Sequence, residues 1–145
     1  MSIVELLGSK VQGKDGEVAV ESFCGEGKYV GLYFSAHWCP PCRGFTPLLA
    51  DFYNSIKASK KAGMLEIVFI SSDRDQESFN DYYAEMPWKA LQYSDRGRKE
   101  TLCAKFGIRG IPTFVLLNAK DGSVEFANAR ENVMEDPKGE NFPWK

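Results

Sequence analysis

Two nearly continuous apolar runs constrain what this chain can fold into. They span Tyr29–Phe34 and Leu65–Ile70, and such runs are typical of central strands covered on both faces. Between them, a stretch from about Cys42 to Ala62 carries apolar side chains at the three-to-four spacing of an amphipathic helix. Pro47 lies inside this stretch, so we expect a kink there. A strand, a helix and a second strand in this order predict an α/β domain.

Weaker patterns extend this order along the chain. Asp73 or Asp75 is positioned to cap a helix that runs to about Met86, and Gly107 to close another. The complete set adds strands at Glu17–Glu21, Ala90–Tyr93, Thr113–Leu117 and Ser123–Phe126, and helices at Arg98–Phe106 and Ala129–Asp136. The last two strands flank an Asp-Gly turn and form a hairpin. We therefore predict a mixed central β-sheet flanked by helices on both faces.

The length of 145 residues predicts a single domain, 1–145. Residues 1–16 contain only a helical turn and a Gly-rich turn, and we interpret them as a peripheral, loosely attached N-terminal extension. The charges, 18 Lys+Arg against 20 Asp+Glu, provide no basic footprint for nucleic acid or a membrane surface. No signal sequence or span-length apolar run is visible. We expect a soluble cytoplasmic monomer, with the nucleus as the alternative compartment.

The chemical signal is Cys39-Pro40-Pro41-Cys42, which follows a buried strand and begins a helix. The free amides and positive end of a helix favour an anion, so Cys39 is expected to ionise readily. Cys42 lies one helical turn below, within reach of a mixed disulfide formed at Cys39. The two prolines fix φ between the cysteines and hold the pair ready to close.

Three interpretations compete for this pair. Zinc needs two more ligands at suitable spacing, and Cys24, Cys103 and His37 are not so arranged. A structural disulfide would close a very small loop in a reducing compartment. A catalytic dithiol without a metal is therefore favoured. No bound cofactor is expected, because no Gly-rich phosphate loop is present. Electrons must then come from another molecule.

Pro112 stands at the entrance of the predicted strand that begins at Thr113. It is either a simple edge-strand start or part of a cis Ile111-Pro112 bond packed against the dithiol. In the second case the Ile111 backbone is free to pair with a substrate. The residues alone leave both interpretations open.

The segment from Tyr33 to Arg43, Tyr-Phe-Ser-Ala-His-Trp-Cys-Pro-Pro-Cys-Arg, resembles the active-site segment of thioredoxin-fold proteins, in particular their nucleoredoxin and tryparedoxin branch. Supporting pieces of the same resemblance are Phe69-Ile-Ser-Ser-Asp73, Met86-Pro-Trp88, Gly107-Ile-Arg-Gly-Ile-Pro-Thr113 and Phe142-Pro-Trp144. The resemblance implies a thioredoxin-like fold. It also implies that Cys39 is the nucleophile, Cys42 the resolving cysteine, Trp38 a flat cover and Pro112 the cis-proline.

Two positions depart from the related families. Tyr33 stands where ordinary thioredoxins carry a buried Asp, so water or another group must serve Cys42 as proton acceptor. Ser72-Asp73-Arg74 stands where tryparedoxins commonly carry Trp-Asp, which favours nucleoredoxin and weakens the case for trypanothione as reductant.

The predicted activity is reduction of protein disulfides through a Cys39/Cys42 dithiol–disulfide cycle, supported by Trp38, Pro40, Pro41, Ile111 and Pro112. An external reductase or a low-molecular-weight dithiol is the expected donor. Disulfide-containing proteins, peroxiredoxin-type proteins among them, are the expected substrates. The alternative is a redox-regulated binding module with little turnover.

Five further residues are assigned ordinary roles at first. His37 is expected to be an exposed loop residue, the alternative being a proton shuttle that favours the thiolate. Arg43 is expected to be a solvated group on the helix surface, the alternative being contact with an acidic partner. Cys24 and Cys103 are expected to be small buried hydrophobes, and Arg130 to lie near the start of the last helix with a minor part in substrate binding.

Overall fold

The computed structural model describes all 145 residues and contains one mixed sheet of seven strands. The strand order is β2-β1-β5-β4-β3-β6-β7. The strands are β1 Lys10–Gly13, β2 Gly16–Ala19, β3 Tyr29–Ser35, β4 Leu65–Ser71, β5 Lys89–Ala90, β6 Thr113–Asn118 and β7 Val124–Phe126. The predicted α/β class with a mixed central sheet is confirmed.

The two apolar runs form the centre of this sheet. β3 pairs in parallel with β4 and antiparallel with β6, and every residue of β3 and β4 is buried. Gly31 in β3 faces the Phe114 ring so closely that a Cβ would lie 2.3 Å from it. The close approach of ring and backbone at this point requires glycine.

Five α-helices cover the two faces of the sheet. They are α1 Ile3–Leu7, α2 Pro40–Lys57, α3 Gln76–Tyr83, α4 Arg96–Lys105 and α5 Ala129–Glu135. Buried side chains of α2, α3 and α5 belong to one core cluster, and those of α1 and α4 belong to another. The prediction of helices on both faces is therefore confirmed.

The two clusters differ in composition. Twelve of the 21 buried residues in the cluster under α2, α3 and α5 are aromatic, whereas Phe34 is the only aromatic residue among the 15 in the other. We call the first the aromatic face and the second the aliphatic face.

Two boundaries around α2 correct the sequence prediction. The helix begins at Pro40 because proline, lacking an N–H, fits the first helical positions, and it ends at Lys57 before a turn. It also continues as one helix through Pro47.

The cap of α3 is Asp75 and not Asp73. Asp75 accepts a hydrogen bond from the Ser78 amide at 2.8 Å.

The loose attachment predicted for residues 1–16 is wrong. Ile3, Leu6 and Leu7 are at most 3% exposed on the aliphatic face, and β1 pairs with both β2 and β5. The segment is peripheral only in the sense that β1 lies next to the edge strand β2. The segment is short and carries few apolar side chains, so its sequence shows no clear period.

None of the helices is both long and apolar enough to cross a membrane.

Candidate redox site

The site begins where β3 ends. Ser35 is the last residue of the strand, and Cys39 is the N-cap of α2 after a short loop. Pro40 and Pro41 occupy the first two helical positions and have no N–H to donate. The first free amide of the helix therefore belongs to Cys42.

That amide points at the sulfur of Cys39. The Cys42 N–H donates to Cys39 Sγ at 3.3 Å, and the two cysteines are joined in a disulfide with their Cα atoms 5.2 Å apart. A side chain that caps a helix in this way accepts a hydrogen bond in its anionic form as well. The same geometry therefore favours a Cys39 thiolate once the disulfide is reduced.

Both cysteines are buried in this oxidised state. Cys39 is 4% exposed and Cys42 is fully buried, so the predicted order of burial is present but Cys39 is only slightly open to solvent. The carbonyl oxygen of Ile111 lies 3.8 Å from Cys39 Sγ, and the Ile111–Pro112 peptide is cis. Of the two interpretations of Pro112, the structure supports the one that packs this peptide against the dithiol.

Trp38 lies on the outside of the pair. It is 48% exposed, and its Nε1 donates to the carbonyl oxygen of Ser72 at 3.0 Å, which fixes the plane of the indole. The Arg74 guanidinium lies 5.1 Å from the indole ring centre. A large apolar surface that is both exposed and held in place is suited to contact with a partner.

The loop that carries Trp38 is anchored by Asp73, a residue to which the sequence assigned only a capping role. Asp73 is 4% exposed, and its two carboxylate oxygens accept from the His37 amide at 2.8 Å and from the Ser71 hydroxyl at 2.7 Å. A short acidic residue two positions after a buried strand is the signal that could have indicated this anchor.

Beneath Cys42 lies a buried network of hydroxyl groups that the sequence did not reveal. Thr46 Oγ1 donates to the Cys42 carbonyl oxygen at 2.9 Å and lies 2.6 Å from both the Tyr33 and the Tyr82 hydroxyl oxygens. The Tyr82 hydroxyl also lies 2.7 Å from Ser35 Oγ. Burial, followed by the neighbouring Tyr82, raises the pKa of Tyr33, so that its hydroxyl stays protonated near neutral pH.

The remaining candidate residues surround this core. The His37 ring stacks on Tyr82 with centroids 5.0 Å apart, and its Nε2 lies 3.6 Å from a Glu85 carboxylate oxygen, so His37 is not the isolated surface group expected. Arg130 of α5 donates from Nη1 to the Pro112 carbonyl oxygen at 3.0 Å, which brings it to the site. Arg43 is exposed on α2.

Cys24 and Cys103 lie elsewhere, half-buried against the aliphatic face. Burial raises the pKa of both thiols, which leaves them less reactive than a free cysteine. No group of three or more His, Cys, Asp or Glu residues is placed to hold a metal ion.

Comparisons with known proteins agree with this geometry. Residues 27–124 match the family model described as Thioredoxin-like. Over 131 residues the chain is 48% identical to tryparedoxin from Trypanosoma brucei brucei, covering 90% of this chain and 88% of that protein. Over 127 residues it is 46% identical to human nucleoredoxin, covering 87% of this chain but only 28% of that protein.

A solved structure gives the same result at the level of the fold. Tryparedoxin from Trypanosoma brucei superimposes with a TM-score of 0.89 at 44% sequence identity, covering 98% of this chain and 96% of the other. The predicted thioredoxin-like fold is thereby confirmed. The chain belongs to the thioredoxin-like family, together with the tryparedoxins and nucleoredoxins, and is a thiol–disulfide oxidoreductase with its redox disulfide at Cys39 and Cys42.

Proposed function

We propose that this protein reduces disulfides of partner proteins, with Cys39 as the attacking and Cys42 as the resolving cysteine. The observation that carries the assignment is the capping geometry, in which Cys39 Sγ accepts the first free amide of α2 while Cys42 is fully buried below it. The sulfur at the helix start is the one that a developing negative charge favours.

The cycle consists of two exchanges. The Cys39 thiolate attacks one sulfur of the partner disulfide, forms a mixed disulfide and releases the other partner sulfur as a thiolate. Cys42, after losing its proton, attacks Cys39 Sγ, so that the second partner sulfur leaves and the Cys39–Cys42 disulfide forms. Two electrons pass to the partner, and an external dithiol or a reductase must return them.

The flanking residues have distinct parts in this scheme. Trp38 offers a fixed apolar surface to the partner, and Pro40 and Pro41 leave the Cys42 amide as the one directed at Cys39. Ile111 and Pro112 form the opposite wall, where the Ile111 backbone is close enough to pair with an extended partner segment. We expect the protein to act as a cytoplasmic monomer on proteins of the peroxiredoxin type.

Trapping distinguishes the two cysteines. In Cys42→Ser the attack survives and the resolution fails, so a covalent adduct with an oxidised protein substrate accumulates on non-reducing gels. In Cys39→Ser no such adduct forms at a useful rate, because the remaining thiol is buried. The matched control is the double variant Cys24→Ser/Cys103→Ser, which keeps multiple turnovers in insulin reduction. Equal trapping by both single variants would overturn the assignment.

The ionisation argument has its own measurement. In Cys42→Ser, titration of the thiolate absorbance gives a pKa for Cys39 below the ordinary cysteine value of about 8.5. A midpoint at or above that value would contradict the argument that the helix start stabilises the thiolate.

Binding that depends on redox state without turnover would instead indicate a regulated binding module.

A further inference from the structure

The start of α2 is weakly held by its own backbone hydrogen bonds. Pro47 lies inside the helix and has no N–H to donate to the carbonyl oxygen of Arg43, four residues earlier. Gly44, between them, is the residue type that loses most conformational freedom when it is fixed in a helix. Cys42 begins this weak section, so its position depends also on contacts from outside the helix backbone.

Thr46 provides these contacts. It lies one helical turn after Cys42 and is 4% exposed, and its Oγ1 donates to the Cys42 carbonyl oxygen at 2.9 Å. The hydroxyl oxygens of Tyr33 and Tyr82 each lie 2.6 Å from the same Oγ1. Tyr33 belongs to β3 and Tyr82 to α3, so one buried oxygen atom joins the start of α2 to the sheet and to the neighbouring helix.

The direction of these hydrogen bonds follows from counting hydrogens. A carbonyl oxygen only accepts, so Thr46 uses its one hydroxyl hydrogen on Cys42. Tyr33 and Tyr82 must then both donate to Thr46, and Tyr82 accepts in turn from Ser35 at 2.7 Å. The hydroxyl hydrogens of the network are thus directed toward the Cys42 carbonyl oxygen, with Thr46 Oγ1 as the junction.

The two sulfur atoms depend on this junction to different degrees. Cys39 precedes the helix, and its Sγ contacts the Cys42 amide at 3.3 Å and the Ile111 carbonyl oxygen at 3.8 Å, neither of which is a hydroxyl group. Cys42 is fully buried and is itself the residue that Thr46 holds. A shift of Cys42 therefore affects its own reach to Cys39 more than it affects the access of a partner to Cys39.

We propose that Thr46 is a positioning residue for the resolving step and holds Cys42 where its sulfur meets Cys39 in line with the bond that breaks. The inference rests on the proposed disulfide reduction and adds a residue to its second exchange. In that exchange Cys42 gives its proton to water and its Sγ bonds to Cys39 Sγ, while the bond from Cys39 to the partner sulfur breaks and leaves its electron pair on the partner. A misplacement of about 1 Å costs such an oriented reaction about a hundredfold in rate.

The test separates attack from resolution with cystamine, a small symmetrical disulfide whose released half diffuses away. Thr46→Val keeps the shape of the side chain and removes its hydroxyl group. Attack is measured in the background of Cys42→Ser, where the adduct of Cys39 with one half of cystamine is the end product. We expect Thr46→Val to leave the rate of adduct formation within about twofold.

Resolution is measured with Cys42 present. The reduced protein is mixed with stoichiometric cystamine and quenched with acid at successive times, and the adduct and the internal disulfide are distinguished by mass. In Thr46→Val the adduct should accumulate, and its conversion to the Cys39–Cys42 disulfide should be slower by at least about tenfold.

Two controls identify the hydroxyl group as the cause. Thr46→Ser keeps the hydroxyl group and should resolve the adduct within about twofold of the unchanged protein. Ile56→Val also removes packing from the buried side of α2, but it lies about 21 Å along the helix from Cys42 and should leave both steps unchanged. Resolution in Thr46→Ser as slow as in Thr46→Val would assign the effect to packing and overturn the proposal.

Tyr82→Phe keeps the proposal testable if Thr46→Val does not fold. It removes one of the two donors to Thr46 and preserves the ring, so resolution should slow by about threefold while attack is retained. Equal slowing of attack and resolution in either variant would indicate general loosening and overturn the positioning role.

The outcomes separate this inference from the function on which it rests. Formation of the Cys39 adduct in Cys42→Ser, together with normal resolution in the hydroxyl variants that fold, overturns the positioning role and leaves disulfide reduction intact. Absence of the adduct in Cys42→Ser overturns both.

Discussion

The two faces of the sheet use different kinds of packing. On the aromatic face, ring stacks on ring, as Phe79 does on Phe69 and Tyr83, and several of the rings carry hydroxyl groups that need partners. On the aliphatic face, mainly Ile, Leu and Val side chains, with the single ring of Phe34, fill the space without polar atoms. The redox helix α2 lies on the aromatic face.

This difference shows why one face carries the chemistry. Aliphatic contacts are non-directional, whereas a buried tyrosine must orient its hydroxyl toward a specific acceptor or donor. Tyr33 and Tyr82 meet Thr46 directly below Cys42. The aromatic face therefore fixes the position of α2 as well as burying it, whereas the aliphatic face contributes non-directional burial.

The largest expected effects come from deleting a core side chain on each face. Phe79→Ala removes a fully buried ring in contact with three aromatic neighbours and is expected to lower the free energy of unfolding by about 4 kcal/mol. Leu102→Ala, fully buried on the other face, is expected to cost about 3 kcal/mol. Denaturant unfolding of the oxidised proteins measures both.

The same two variants sharpen the comparison at the site. Because Phe79 and Tyr82 share α3, the rate of Cys39 attack should change in Phe79→Ala and not in Leu102→Ala, when both are assayed under conditions where they are folded. An equal change in both variants would show that general loosening, and not the aromatic face, controls the dithiol.

Overpacking on the aromatic face gives the next largest effect. In Gly31→Ala the new methyl group would meet the Phe114 ring at 2.3 Å, so the ring or the strand must move, at an expected cost of about 3 kcal/mol. Gly44→Ala on α2, where a Cβ meets nothing within 4 Å, is the control and should be neutral or slightly stabilising. Thermal unfolding that is unchanged in Gly31→Ala would show that the ring has room to turn away.

Removal of a single hydroxyl group tests the directional part of the argument. Tyr82→Phe deprives Ser35 and Thr46 of a buried hydrogen-bond partner and is expected to lower stability by about 1–2 kcal/mol. Tyr29→Phe is the matched control, since Tyr29 belongs to the same face and its hydroxyl makes no hydrogen bond within the protein. The control should lie within about 0.5 kcal/mol of the unchanged protein. Equal losses in the two variants would contradict the network.

The smallest expected effect is a dependence of folding stability on pH. It arises in the C-terminal segment, which closes the aromatic face. Partial burial opposes the ionisation of Asp136, but hydrogen bonds from the Asn141 amide, Trp144 Nε1 and the Glu140 amide outweigh it and lower its pKa. A lowered pKa stabilises the folded protein above about pH 4, the ordinary Asp value, and this contribution is lost as the pH falls through the lowered value.

Asp136→Asn isolates this contribution. The stability difference between Asp136→Asn and the unchanged protein should be present at pH 7 and shrink below pH 4, as followed by denaturant unfolding at each pH. The aliphatic face has a counterpart at the other terminus, where hydrogen bonds from Ser2 lower the pKa of Glu5 in the capping box of α1. The stability difference between Ser2→Ala and the unchanged protein should likewise shrink in acid. A stability difference that stays constant with pH in either variant would contradict the assignment for that variant.

The sequence was informative where a pattern is local. β3 and β4 are runs of consecutive buried residues, and the β6–β7 hairpin has its Asp121-Gly122 turn between two short strands. The redox pair was also visible, because both cysteines lie within one turn of helix at the end of a strand. Each of these features depends on residues close together in the chain.

What the sequence did not show depends on distant residues. β1 is four residues long with one fully buried side chain, Val11, and it is a strand because it pairs with β2 and, at Gln12, with Ala90. The hydroxyl network joins side chains from β3, α2 and α3. No periodicity within one element can indicate that such groups meet.

The pairing of β3 with β6 has a consequence for how the molecule forms. β3 and the cysteines are made early in synthesis, but β6 and the Ile111–Pro112 peptide come far later in the chain, and closing so long a loop is slow. Until β6 docks, the strand beside it has an open edge and the dithiol lacks one wall. Pulse alkylation during refolding should therefore label Cys39 readily before β6 is protected from hydrogen exchange and slowly afterwards. A newly synthesised chain would thus pass through an interval in which its cysteines are accessible to any oxidant or thiol. This interval ends when β6 docks and the Ile111–Pro112 peptide covers one side of the dithiol.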